Sequence, residues 1–204
     1  RPDARTLGVL GSGVLARYTV LAIRELLPEM QRVYVYSRDR ERREAYARQM
    51  AEATGWSFVP VDTARAAVEE ADILVTATNS AEPNLFAEWI KPGTHINAMG
   101  IKTEIHPDVF RGARVYGDSK DVAIEDGKFS IALKAGAVTA SDLAGEIGDV
   151  LIGRAPGRAS AEEITIFDSS GLAVQDIICA QYVYRQAGEQ NAGTYIDLGL
   201  DETP

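Results

Sequence analysis

One cysteine, Cys179, and two histidines, His95 and His106, are all that these 204 residues offer for disulfides and transition-metal sites. A single cysteine closes no internal disulfide, and so small a ligand set excludes a structural zinc centre. Long apolar runs are missing too: nothing approaches the roughly 18 residues that a membrane-spanning helix needs. Positive charge is in deficit, with 21 Lys and Arg against 30 Asp and Glu, a net charge of -9. Wrapping nucleic acid takes a broad basic face, so no nucleic-acid partner is expected. Ser169-Ser170 stands outside any G-x-S-x-G elbow, which argues against a hydrolase. Cys179 lies in the apolar helical pattern "AVQDIICAQYVY" and is expected to be buried as a small hydrophobe, in a cytoplasmic setting.

What the chain does have is alternation. "TLGVLG" (6–11), "RVYVYS" (32–37), "SFVPV" (57–61), "DILVTAT" (72–78), "THINAMG" (94–100) and "RVYGD" (114–118) read as strands. Helical patterns run from about Gly13 to Leu27, along "DRERREAYARQMAEATG" to a stop at Gly55, and through Ala64–Glu70. Strand and helix in turn imply βαβ units, hence an α/β fold with a Rossmann-type, doubly wound, mostly parallel sheet. Beyond residue 118 the pattern loosens. A helix is expected over 143–154, a strand and turn over 163–171, a helix over about 172–187 and a terminal strand over 193–200.

The first strand runs straight into Gly11-Ser12-Gly13-Val14-Leu15-Ala16, a G-x-G-x-x-A pattern. Gly11 permits a tight turn, Gly13 lets backbone approach a pyrophosphate, and small Ala16 lets helix and strand pack closely. The phosphates would then meet the free N–H groups at the positive end of the helix. At the end of the second strand an acid would select NAD(H) and a base NADP(H). The chain has Ser37-Arg38 there and no acid before Asp39, itself a plausible N-cap. Four arginines fall in "VYVYSRDRERR" (33–43), and three of them, Arg40, Arg42 and Arg43, read as a solvated helix surface with pairs such as Arg40–Glu44. Ser37 and Arg38 precede that helix and favour NADP(H), with NAD(H) the other choice.

With these residues placed, the chain resembles the ornithine cyclodeaminase/μ-crystallin family. The likeness is carried by "GSGVLA", "ADILVTATNSAEP", "KPGTHINAMG", "GRAPGR" and above all "EITIFDSSGLAVQD". It implies an NAD(P)-dependent oxidoreductase that moves hydride at the α-carbon of a small imino or amino acid, of the ketimine reductase or amino-acid dehydrogenase type. Its alternatives are an ornithine cyclodeaminase-type ammonia lyase and a non-catalytic binding protein like μ-crystallin. It implies cofactor contacts at Val14 and Leu15 after the loop, at Ser37, Arg38 and Asp39 around the adenosine ribose, and at Thr76, Thr78 and Asn79 after the fourth strand. Asn97, Ala98, Met99, Lys102 and Ser169 complete that set. A homodimer is implied as well.

Two departures stand out. Leu15 occupies a position where the family usually has Gln. The family's G-x-D-x-P-G-K loop with its catalytic Asp is replaced by Gly100-Ile101-Lys102-Thr103-Glu104-Ile105, which favours hydride transfer over cyclodeamination. Glu104 is the one acid in that loop. Family members carry a preceding domain with the Lys and Arg that grip the substrate carboxylate. Residues 1–171 are therefore expected to form the dinucleotide-binding domain, and 172–204 a helix and tail that dock on a substrate and dimerisation domain absent from this chain. No catalytic acid or base is assigned. His95 is expected to be a hydrogen-bonded strand residue, His106 a helix cap and Asp168 a turn former.

Overall fold

The computed structural model describes residues 1–196. Among them eight strands form one sheet in the order β3-β2-β1-β4-β5-β8-β6-β7, every neighbouring pair parallel. The strands are β1 (Thr6–Leu10), β2 (Arg32–Tyr36), β3 (Ser57–Pro60), β4 (Ile73–Thr76), β5 (His95–Ala98), β6 (Arg114–Gly117), β7 (Leu143–Glu146) and β8 (Thr165–Asp168). The chain winds outward from β1 through β2 and β3, then crosses back to β4 on the other side. That reversal opens a crevice beyond the carboxyl ends of β1 and β4.

Burial explains why these runs are strands. All four residues of β4 are buried, as expected for a central parallel strand covered on both faces. Alternate residues feed separate cores. Leu7, Val9, Val33, Val35, Ile73 and Val75 pack with α1 (Val14–Leu26) and α2 (Arg40–Thr54). Leu10, Leu74, Ile96, Phe110, Phe129 and Ile166 pack on the opposite face with α3 (Ala64–Val68). Each such side chain contributes about 1.5–3 kcal/mol when fully buried. The α2 boundaries follow capping chemistry. The Asp39 carboxylate accepts the Arg42 N–H at 3.1 Å, and Gly55 closes the helix at φ 77°.

The second half departs from the sequence reading. Residues 143–154 are not one helix: Leu143–Glu146 pair with β6, and only α6 (Ile147–Leu151) is helical. Gly145 sits at φ 148°, a backbone conformation that no α-helix contains, and buried Leu143 anchors the strand. Two helices, α4 (Lys120–Glu125) and α5 (Lys128–Lys134), are absent from the sequence expectation, both too short to display a period.

Gly171–Pro204 forms a compact unit apart from Arg1–Ser170. Its helix α7 (Ala173–Gln190) extends past the expected end, and no residue in it is buried. Cys179 is exposed, contrary to expectation. The apolar spacing of α7 shows what the helix could cover, and among the described residues of this unit none covers it. Gly193–Ile196 form no strand, and the rest of the expected 193–200 strand lies outside the described residues. Among the described residues no helix is long and apolar enough to cross a membrane.

Candidate functional site

The crevice is shaped first by the turn after β1. Gly11 has φ 114°, and a Cβ there would collide with the Ala77 carbonyl oxygen at the end of β4. Any L-residue would be strained at this position and would force the two strand ends apart. Gly13 is the N-cap of α1, with no side chain capping the helix and no acid in its first turn. A Cβ on Gly13 would meet nothing within 4 Å. The first N–H groups of a 13-residue helix thus face open space at the positive end of its dipole. A pyrophosphate fits both the space and the charge of this seat.

A cavity of about 640 Å³ opens from that seat, lined by Gly11, Ser12, Gly13 and Leu15 of the loop. The end of β2 adds Ser37, Arg38, Asp39 and Arg42, and the β4 and β5 ends add Thr78, Asn79, Ser80, Asn84 and Met99. A second cavity of about 420 Å³ meets it at Met99, Gly100 and Ile101 and reaches Lys102, Asp126, Lys128, Ser169 and Ser170. Of the expected contacts, Val14 points outward at 73% exposure. The Thr76 hydroxyl is fully buried and donated to Glu104. Thr76, Asn97 and Ala98 line neither cavity; they hold the strand ends from behind.

The β2 end is tightly bonded. Ser12 Oγ donates to Ser37 Oγ at 3.0 Å, and Ser37 Oγ donates onward to the Asp39 carbonyl at 3.2 Å. The Asp39 carboxylate is occupied by the Arg42 N–H and by the Arg42 guanidinium at 3.3 Å. Arg40 does dress the helix surface, pairing with Glu44 at 2.8 Å. Arg42 is an exposed helix-surface arginine too, paired with Asp39, as the sequence reading has it, and only Arg43 corrects that reading. Arg42 lines the cavity. Arg43 is 6% exposed, donates to the Ser37 carbonyl at 3.2 Å and pairs with Asp62. The signal for Arg43 was present: it shares a helical stripe with buried Tyr46, Ala47 and Met50.

Behind the cavities sits Glu104, fully buried, accepting from Thr76 Oγ1, Thr78 Oγ1 and the N–H groups of Thr78 and Gly100. Asp168 is no mere turn former. It is fully buried, accepts the Phe129 N–H at 2.8 Å and lies 3.5 Å from the Lys128 ammonium. Burial pushes its carboxyl up, against the lowering pull of the Phe129 N–H and of Lys128. Lys128 in turn donates to the Ser169 carbonyl at 3.0 Å, steadying the wall of the second cavity. Lys102 pairs with Asp126 across the same cavity. His95 is the strand residue anticipated, with Nδ1 2.7 Å from Thr165 Oγ1. His106 caps Pro107–Phe110, accepting the Asp108 N–H at 3.3 Å.

Known proteins are similar to this chain in sequence and fold. The family model for the ornithine cyclodeaminase/mu-crystallin family matches residues 1–191. A delta(1)-pyrroline-2-carboxylate reductase from Bacillus cereus is 36% identical, over 97% of this chain and 62% of that protein. The structure of Thermococcus litoralis delta(1)-pyrroline-2-carboxylate reductase in complex with NADH and L-proline superposes with a TM-score of 0.91. It is 33% identical, over 96% of this chain and 62% of that one. An archaeal alanine dehydrogenase dimer with bound NAD superposes with a TM-score of 0.89 at 33% identity, over 97% of this chain and 62% of that one. The chain thus spans about 62% of the length of these relatives. On the match to residues 1–191 and on identities above 30%, the chain belongs to the ornithine cyclodeaminase/mu-crystallin family.

Proposed function

We propose that the chain binds NADP(H) and serves a reductase that delivers hydride to the α-carbon of a small imino acid. The observation that carries this reading is the uncapped start of α1 at Gly13, opening on the cavity that Ser37, Arg38 and Arg42 share. The N–H groups after Gly13 hold the pyrophosphate. Ser37, Arg38 and Arg42 receive the 2′-phosphate of the adenosine ribose, while Asp39 is neutralised by Arg42 and offers it little repulsion. Thr78, Asn79 and Met99 line the path onward, and Lys102 and Ser169 flank the second cavity. The dinucleotide supplies the hydride; the protein supplies position and charge.

The two superposed relatives carry NADH and NAD, so the preference for the phosphorylated cofactor rests on this chain's own arginines. The substrate class follows the names of the relatives, with a cyclic α-imino acid such as pyrroline-2-carboxylate first. A homodimer, as in the archaeal alanine dehydrogenase, and a cytoplasmic setting belong to the same proposal. Cyclodeamination is disfavoured because Glu104, the one acid in the loop after β5, is committed to four hydrogen bonds. The test is cofactor balance, measured on a polypeptide as long as the relatives, of which this chain spans about 62%. Stoichiometric loss of NADPH with pyrroline-2-carboxylate supports the reductase. Ammonia from ornithine without net cofactor change would replace it with the lyase, and dinucleotide binding without turnover of any imine would leave a binding protein.

A further inference from the structure

We infer that Glu104 is a positioning residue that sets the half of the dinucleotide site lying beyond the adenosine end; this rests on the dinucleotide reading above. Its carboxylate is fully buried. Oε1 accepts from Thr76 Oγ1 at 2.6 Å and from the Gly100 N–H at 2.9 Å. Oε2 accepts from the Thr78 N–H at 2.9 Å and from Thr78 Oγ1 at 2.7 Å. Each oxygen therefore has two donors, and the donors come from the ends of two adjacent strands, β4 and β5.

A buried carboxylate is a poor device for stability alone, since an apolar side chain of similar volume often serves as well. What it adds here is a fixed distance between two loops. Its neighbours show how closely the loop is drawn in: a Cβ on Gly100 would overlap the Glu104 carboxylate. The Thr78 hydroxyl, with its proton committed to Glu104, turns its lone pairs to Asn84 Nδ2 at 3.1 Å and to the Ser80 N–H at 3.4 Å. Asn84 and Ser80 line the first cavity, and Gly100 lies where the two cavities meet. Glu104 thus reaches the passage between the cavities through Thr78 on one side and Gly100 on the other. It has no comparable link to Ser37, Arg38 or Arg42.

The substitution Glu104→Gln separates charge from size. A carboxamide keeps one acceptor and turns the other oxygen into an NH₂ donor. Threonine hydroxyls can rotate to accept from it, but backbone N–H groups cannot. In one orientation the NH₂ opposes the Gly100 N–H, in the other the Thr78 N–H. Either choice pushes one loop away while the rest of the fold is undisturbed.

The experiment compares two ligands on the same chain: NADPH, which spans the whole site, and 2′,5′-ADP, which fills only its adenosine end. Glu104→Gln is expected to weaken NADPH about tenfold and to leave 2′,5′-ADP within about twofold. Thr76→Val removes one donor from a residue outside both cavities. It is expected to show the same selective loss at about threefold, with Thr76→Ser restoring affinity. Thr76→Val keeps the test available should Glu104→Gln fail to fold. Proportional loss of both ligands, or no loss of either in a folded variant, overturns the positioning role. A wild-type chain that binds neither ligand overturns the dinucleotide reading itself, and the positioning role with it.

Discussion

Three arginines in the first turn of α2 have different tasks: burial sets Arg43 apart, and the cavity edge separates exposed Arg42 from exposed Arg40. Arg40 pairs in solvent, Arg42 faces the cavity, and Arg43 lies beneath it holding the Ser37 carbonyl. Arg42→Ala is expected to weaken NADPH about tenfold while changing NADH less than twofold, read by fluorescence titration. Arg38→Glu should show the same bias more strongly, by placing an acid where the 2′-phosphate would sit. Equal losses for both cofactors would sink the arginine account. His95 gives a prediction about pH. Burial lowers its imidazole from 6.5 to about 4, against the raising influence of Asn97. Between those values the unfolded chain binds a proton that the folded chain refuses, so stability falls as pH drops from 6.5 towards 4. His95→Gln should flatten that slope in denaturant titrations at pH 7, 5.5 and 4.5. Asp72 acts in another window. Burial would raise its carboxyl, but hydrogen bonds from Arg5, Lys91 and Thr6 outweigh that and bring it to about 2. Its contribution is full above 3.8 and is lost only as pH falls towards 2, so the two effects do not overlap.

Among the elements, α1 is where function opposes local stability. A glycine N-cap forgoes a few tenths of a kcal/mol against Asp, and the missing acid forgoes roughly a further 0.3–1 kcal/mol of interaction with the helix dipole. Gly13 is extended, at φ -91°, and has open space beside it, so an acid could cap the helix there without strain. Gly13→Asp is therefore expected to raise the melting temperature by a few degrees and to abolish dinucleotide binding. A variant no more stable, or one that still binds, would show that the free N–H groups are not the phosphate seat. How much could be read in advance also varies by element. From β1 to β5 the strands were plain in the sequence, because apolar runs of four or five residues alternate with helices carrying caps such as Asp39 and Gly55. From Lys120 to Leu151 the α-helices have only five to seven residues, and β7 contains Gly145 and runs directly into α6, so strand and helix patterns merge. That is why the sequence of β7 reads as helix. The glycine loop and the residues after β2 were legible because their chemistry is local. Glu104 and the Lys128–Asp168 pair were not, because their partners lie 28 and 40 residues away and only the folded sheet brings them together.

Over the whole molecule, a chain of net charge -9 is proposed to hold a polyanionic dinucleotide. The field of the protein does not attract such a ligand, so binding depends on one local seat: the α1 terminus with Arg38 and Arg42. Belonging to the family accounts for the fold that carries that seat, and the arginines give it its positive charge. The most direct test is a calorimetric titration of the chain with NADPH and with NADH under the same buffer and salt. The account predicts saturable binding of one NADPH per chain, with an affinity at least about tenfold above that for NADH. Equal or tighter binding of NADH, or binding of neither, would contradict it.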